Sequence, residues 1–258
     1  MLHQSQLSLT HSDVHLWVLD INAVHDQELL NQYAGILSKE EKERWQRFKF
    51  AKHRHQFLVS HALVRHVLSR YALIAPDEWE FSQNSFGRPE VMMPPNSPNL
   101  RFNLSHTDGL AALAVTLGQD IGVDVESADR INASPGIANR FFSPFEVEAL
   151  FKQPDHEQKQ RLFEYWTLKE SFIKAKGMGL SFPLNEFSMH LNEYQDIRVS
   201  FSPKQTESPD TWRFWQLRSF AHFLIALCVN TDEGSIDHQL QVRNVIPCVF
   251  EELVNNPS

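Results

Sequence analysis

A chain of 258 residues, 42% of them hydrophobic and with nineteen Phe and six Trp against nine Gly, is long enough to bury one large core or two smaller ones. Its formal net charge of −8 speaks against broad binding to nucleic acid or to anionic membranes. No stretch is apolar for long enough to span a bilayer, and the first twenty residues lack the basic-then-apolar order of a signal peptide, so a cytoplasmic protein is expected, with Cys228 and Cys248 as reduced thiols.

In chain order, residues 14–19 suit an opening strand that ends in the polar turn at 22–26. Ser38, followed three residues later by Glu41, is a capping box, and it predicts helices over 39–49 and 51–72. Between Lys39 and Arg70 lie nine of the 24 lysines and arginines against three acids, with four histidines besides. An acidic chain that gathers its cations in one segment aims them at an anion. Arg47 and Arg54 are seven apart and share a face if the two helices run on with little break. Phe57, Val64 and Leu68 stand at helical spacing and belong to the core.

Phe86, Gly87, Arg88 and Pro89 form a turn, and the planar guanidinium of Arg88 is able to stack on a ring. Asn103, Ser105 and Thr107 alternate with Phe102, Leu104 and His106 as in a strand, and Gly109 turns the chain into a second, buried strand over 110–116. Residues 121–126 alternate again: Ile121, Val123 and Val125 on one face, Gly122, Asp124 and Glu126 on the other. Two carboxylates about 7 Å apart on one strand face repel each other unless a cation lies between them, and hard oxygen donors of this kind suit Mg²⁺ or Mn²⁺. Residues 127–139 read as a loop. Ser143, Pro144 and Glu146 start a helix, and a second, longer helix over about 156–176 ends at Gly177 and Gly179. On it Trp166, Glu170 and Lys174 lie at successive i, i+4 positions, one stripe able to bring a third carboxylate and an ammonium to the strand. Lys169, about 100° around the helix from Glu170, is placed to meet an acidic partner. Strands are expected within 187–201 and 212–229, and the polar residues after 232 as a loosely attached tail.

The pattern Gly122-x-Asp124-x-Glu126, followed by Trp166-x-x-Lys169-Glu170-x-x-x-Lys174, resembles the signature of the 4′-phosphopantetheinyl transferases, and most closely the surfactin-synthetase-activating type. The resemblance extends to Asn103-x-Ser105-His106-Thr107, to Gly87-Arg88-Pro89 and to Arg140-Phe141-Phe142. It implies an α/β fold of two similar halves about a pseudo-twofold axis, each a small sheet packed on a long helix, in a monomer. The halves would be residues 1–118 and 119–231, with 232–258 as the tail.

It also implies transfer of 4′-phosphopantetheine from coenzyme A to a serine of an acyl or peptidyl carrier protein, with release of adenosine 3′,5′-bisphosphate. Asp124, Glu126 and Glu170 would hold Mg²⁺, Glu170 would be the general base, and Lys174 would meet the pyrophosphate. Ser105 and His106 would reach phosphates of coenzyme A, Arg88 the adenine, and Arg47 and Arg54 the 3′-phosphate. Glu41 departs from the basic residue expected of a close relative. The residues by themselves also suit another Mg²⁺-dependent enzyme that cleaves pyrophosphates, or a silent module that binds coenzyme A or a carrier protein.

Overall fold

The computed structural model describes residues 6–94, 97–127, 135–192, 196–220, 222–231 and 237–255. The chain opens with β1 (Asp13–Asp20), α1 (Gln27–Ile36), α2 (Lys39–Arg47) and α3 (Ala51–Leu68), followed by the short hairpin β2 (Phe81–Gln83) and β3 (Pro89–Val91). Next come β4 (Leu100–His106), β5 (Leu110–Leu117) and β6 (Ile121–Ser127), then α4 (Ala138–Phe141), α5 (Pro144–Phe151) and α6 (Asp155–Lys176). The chain continues as β7 (Phe187–Leu191), β8 (Ile197–Phe201), β9 (Trp212–Phe220), β10 (Phe223–Asn230), β11 (Gln239–Ile246) and β12 (Phe250–Leu253). The loop expected at 127–139 lies mostly outside the described residues.

The signals that set these boundaries are local. Both capping boxes form: Ser38 Oγ accepts from Glu41 N while the Glu41 carboxylate accepts from Ser38 N, and Ser143 and Glu146 do the same at α5. Gly177 ends α6 in the left-handed conformation, φ 64°. No helix among the described residues is long and apolar enough to cross a membrane.

Period-2 alternation builds the layers. β1 and β5 send Val14, Leu16, Val18, Leu110, Ala112 and Ala114 one way, and Trp17, Leu19, Ala111, Leu113 and Val115 the other. The second set packs on α3. The first set packs on Ile121, Val123, Val125, Ile225, Leu227 and Val229 of β6 and β10, whose opposite face is covered by α6. Two sheets, ordered β12-β11-β1-β5-β4 and β6-β10-β9, thus share one apolar layer, and each carries a long helix on its outer face. The expected α/β fold with a sheet on a long helix in each half is what the chain forms.

Two expectations fail here. Residues 239–253 are not a loose tail: β11 runs parallel to β1, from Asp13 opposite Gln239 to Val18 opposite Asn244, and β12 folds back onto it. Its buried anchors are Val242 and Val245, with Leu240 and Ile246 partly buried beside them. Nor does Lys169 face a partner. Its side chain is wholly buried and Nζ donates to Leu184 O (2.8 Å), Phe187 O (2.6 Å) and a Glu146 carboxylate oxygen (2.8 Å), with the Phe187 ring centroid 3.9 Å away. Burial pushes the Lys169 ammonium down to about 8 against the pull of Glu146. Glu146 in turn accepts from Ser143 N and Met189 N, so one ion pair joins α5, α6 and β7.

Replacing one partner strands the other in the core. Lys169→Met is expected to lower the free energy of unfolding by about 3–5 kcal/mol, read by urea denaturation. A loss below about 1 kcal/mol would give the pair the weight of a surface ion pair.

Candidate active site

The site begins with a missing side chain. Gly122 faces α6, and a Cβ built there would stand 1.9 Å from Ser171 O and 2.5 Å from Ala175 N. Only glycine allows the helix backbone so close to the strand. In β10 the residues paired with Asp124 and Gly122 are Ala226 and Cys228, both buried and small. The helix therefore settles onto β6 with Glu170 and Lys174 over Asp124 and Glu126, and strand face and helix stripe meet as the spacing predicts.

The edge strands β4 and β6 belong to different sheets, and side chains join them. Asn103 Oδ1 accepts from Val123 N (2.9 Å) and Ser105 Oγ accepts from Val125 N (3.3 Å). Ser105 Oγ also donates to Asp124 Oδ1 (3.1 Å) and accepts from Lys174 Nζ (2.9 Å), while Lys174 Nζ lies 2.6 Å from Asp124 Oδ1. Ser105 is thus the shared partner of the acid, the lysine and the neighbouring strand.

The Lys174 ammonium pairs with Asp124, and the charges of Asp124, Lys174 and Glu126 all reach Glu170. Burial pushes the Glu170 carboxyl up to about 7, Asp124 and Glu126 push the same way, and Lys174 pulls against them. Asp124 Oδ2 is buried and has no hydrogen-bond partner among the described residues. No three His, Cys, Asp or Glu side chains stand gathered as a metal-ligand group among those residues. The orphaned oxygen and the mutual repulsion of the acids nevertheless make a donor set that suits a hard divalent cation.

His106 sits at the end of β4, its Nδ1 2.7 Å from Gln56 Nε2, which also donates to Thr107 O (3.0 Å). The Gln56 amide makes Nδ1 the acceptor and leaves Nε2–H to point outward. Desolvation lowers His106 below the usual imidazole range, and the charges of Lys174, His61 and Arg44 lower it further. Arg44 therefore stands within electrostatic reach of the site, and Lys52 pairs with Asp108 in the turn after His106. Gln56, Arg44 and Lys52 were not singled out in the sequence, where a lone Gln or one cation among nine carries no mark.

The segment 39–70 divides. α2 and α3 do not run on, because Phe48 and Phe50 are extended, and Arg47 and Arg54 part company. Arg47 is 79% exposed beside Glu43, whereas Arg54 Nη1 donates to Phe48 O (3.1 Å) and closes the end of α2. Glu41 is structural: burial would raise its carboxyl, but hydrogen bonds from His61 and Ser38 N, with the Arg65 charge, hold it down at about 2. Arg88 turns away from open surface, with Nη1 on Ala175 O (2.5 Å) and Nη2 on Glu90 (2.9 Å) and Asp120 (3.3 Å).

The buried Asp124 and Glu126, with the part-buried Glu170 and Lys174, thus lie where the two sheets meet at β4 and β6. Two family models match adjoining parts of the chain: 4′-phosphopantetheinyl transferase superfamily over residues 120–228, and 4′-phosphopantetheinyl transferase, N-terminal, over 25–117. The 4′-phosphopantetheinyl transferase HetI of Nostoc sp. is 31% identical over 211 residues, covering 82% of this chain and 84% of its own. The 4′-phosphopantetheinyl transferase Sfp of Bacillus subtilis is 35% identical over 183 residues, 71% of this chain and 78% of its own. The crystal structure of holo-[acyl-carrier-protein] synthase from Neisseria meningitidis superposes with a TM-score of 0.37 at 18% identity, over 44% of this chain and 98% of that one, a likeness too slight to add weight. The chain belongs to the 4′-phosphopantetheinyl transferase superfamily and is an enzyme of that type.

The raised Glu170 carboxyl has a thermodynamic signature. The unfolded chain loses this proton near 4.5 and the folded chain near 7, so stability falls as pH rises through that window and is level above it. Glu170→Gln removes the penalty. In chelator, the variant is expected to match the native chain at pH 4.5 and to exceed it by about 2 kcal/mol at pH 8, after allowance for the partial exposure of the group. Urea titrations at the two pH values measure this, and a difference that did not change with pH would mean an unperturbed Glu170.

Proposed function

We propose that this chain transfers 4′-phosphopantetheine from coenzyme A to a serine of an acyl or peptidyl carrier protein, with adenosine 3′,5′-bisphosphate as the second product and Mg²⁺ as cofactor. The observation that supports the reading is the meeting of Asp124 and Lys174 on Ser105, with Glu170 close enough to feel the charges of Asp124, Lys174 and Glu126, in a chain of this superfamily.

The serine oxygen forms a bond to the phosphorus that bears pantetheine, and the bond from that phosphorus to the bridging oxygen of the nucleotide breaks. The electron pair leaves with the nucleotide phosphate. The serine proton goes to Glu170, directly or through one water, the water route being the easier while Glu170 also holds the metal. Lys174 spends two of its N–H groups on Asp124 and Ser105, and the third meets a pyrophosphate oxygen. His106 offers Nε2–H to a phosphate of coenzyme A, and Arg44 and Lys52 extend the positive wall from α2 and α3. Asp124, through its unpartnered Oδ2, would hold Mg²⁺ together with Glu126 and Glu170, and the bound ion would neutralise charge on the pyrophosphate. From Glu126 an open groove runs past Lys159, Phe163 and Phe223 and gives the acceptor serine a route of approach.

The test is the intact mass of an apo carrier protein after incubation with the chain, coenzyme A and Mg²⁺. A gain of one phosphopantetheine group that vanishes in EDTA is expected, and Asp124→Ala should slow it by about 10²–10³-fold while the circular dichroism spectrum stays native. No gain across fatty-acid, polyketide and peptide carriers would overturn the reading, and near-native turnover by Asp124→Ala would remove the carboxylate cluster from it.

A further inference from the structure

The active-site lysine lies in the last turn of its helix, where a helix is least constrained. The carbonyls there have no partner within the helix, and fraying would carry Lys174 off Asp124. In this chain the end of α6 is held from outside by the turn between β2 and β3. Asn84 Nδ2 donates to Gly177 O (2.9 Å), and Arg88 Nη1 donates to Ala175 O (2.5 Å). The turn is fixed by the same side chain, since Asn84 Oδ1 accepts from both Phe86 N and Arg88 N at 2.9 Å, and Gly87 takes φ 88° to close it. The guanidinium is nearly buried, its side chain 12% exposed, and is balanced by Glu90 and Asp120. A cation at this end also complements the helix dipole.

The fit is tight from the other side. A Cβ at Gly177 would stand 2.8 Å from Asn84 Nδ2 and 2.9 Å from Arg88 Cζ and Nε. The bond to Ala175 O falls one residue beyond Lys174, and Gly177 N closes the turn on Lys174 O (3.0 Å). Rotation of that turn is therefore transmitted directly to the Lys174 side chain, and one turn earlier to Glu170.

We propose that Asn84 and Arg88 form a positioning clamp: a hairpin of the N-terminal half that sets the C-terminal turn of α6, and with it Lys174 against Asp124, for the transfer reaction. The clamp rests on the transferase reading for what it positions, but not for its existence. Neither side chain touches substrate in this role; each acts through helix carbonyls.

Asn84→Ala removes the donor to Gly177 and the one oxygen that accepts both bonds shaping the turn, while leaving Lys174 and the carboxylates in place. Val64→Ala, a cavity in the core around α3, is the control for a general loss of stability. In hydrogen exchange read by mass spectrometry, peptides spanning 170–180 are expected to exchange faster in Asn84→Ala and at the native rate in Val64→Ala. With coenzyme A and a carrier protein, Asn84→Ala should lose about 10- to 100-fold in kcat with KM for coenzyme A within about twofold, and Val64→Ala should keep both. Native exchange over 170–180 in Asn84→Ala would overturn the clamp. So would faster exchange with kcat unchanged, or a defect confined to KM for coenzyme A, which would return the turn to nucleotide binding. A native chain inactive on every carrier would count against the transferase reading instead, and the exchange rates would still decide whether the clamp holds α6.

Discussion

The approach of α6 to β6 at Gly122 is the contact on which the rest of the site depends. A helix normally rides on a sheet at a distance set by the side chains between them. Here the strand offers no Cβ, and the adjacent strand offers Ala226 and Cys228, so helix backbone meets strand backbone. That closeness lets a short Asp on the strand reach a Lys on the helix at 2.6 Å. It also part-buries Glu170 beside Asp124 and Glu126, and burial first, then their charges, make its carboxyl hold a proton more firmly.

The charges of this protein fall into two kinds. Glu146 with Lys169, and Glu41 with Arg65 and His61, are buried but fully bonded, and each ties helices to their surroundings. Asp124 pairs with Lys174 beside Glu126 and Glu170, and one oxygen of Asp124 is left with no hydrogen bond among the described residues. Proteins tolerate such unresolved repulsion where a ligand is to resolve it. The contrast sets the acids of the candidate site apart from the structural ones, although in sequence Glu146 and Glu170 are both helical glutamates four residues after an aromatic side chain.

Much of this was legible in the sequence because it rests on short-range rules. Alternation over 121–126 gave both faces of β6, the two capping boxes gave the starts of α2 and α5, and the i, i+4 stripe brought Glu170 and Lys174 together. What escaped is what distant residues decide. Lys169 reads as a surface cation until Glu146 is folded over it. Arg88 reads as a ring-stacking residue until the carbonyl of Ala175 arrives. Arg47 and Arg54 share a face only on a continuous helix, and two extended phenylalanines interrupt it. β11 reads as a tail because Gln239, Gln241, Arg243 and Asn244 match its four apolar residues in number and the residues leading into it are mostly polar, while its pairing partner lies more than two hundred positions earlier.

That pairing also orders the chain's assembly in time. β1 leaves the ribosome ahead of both strands that flank it, and β5 can cover one of its edges once residues 110–117 have been made. Its other edge is parallel to β11 and stays open until residues 239–246 emerge. Through most of synthesis the nascent protein therefore carries an apolar strand with one row of amide and carbonyl groups unpaired, the kind of edge that recruits foreign strands. The polar character of β11 suits this order of events, since a strand that arrives last remains soluble until its place in the sheet is ready.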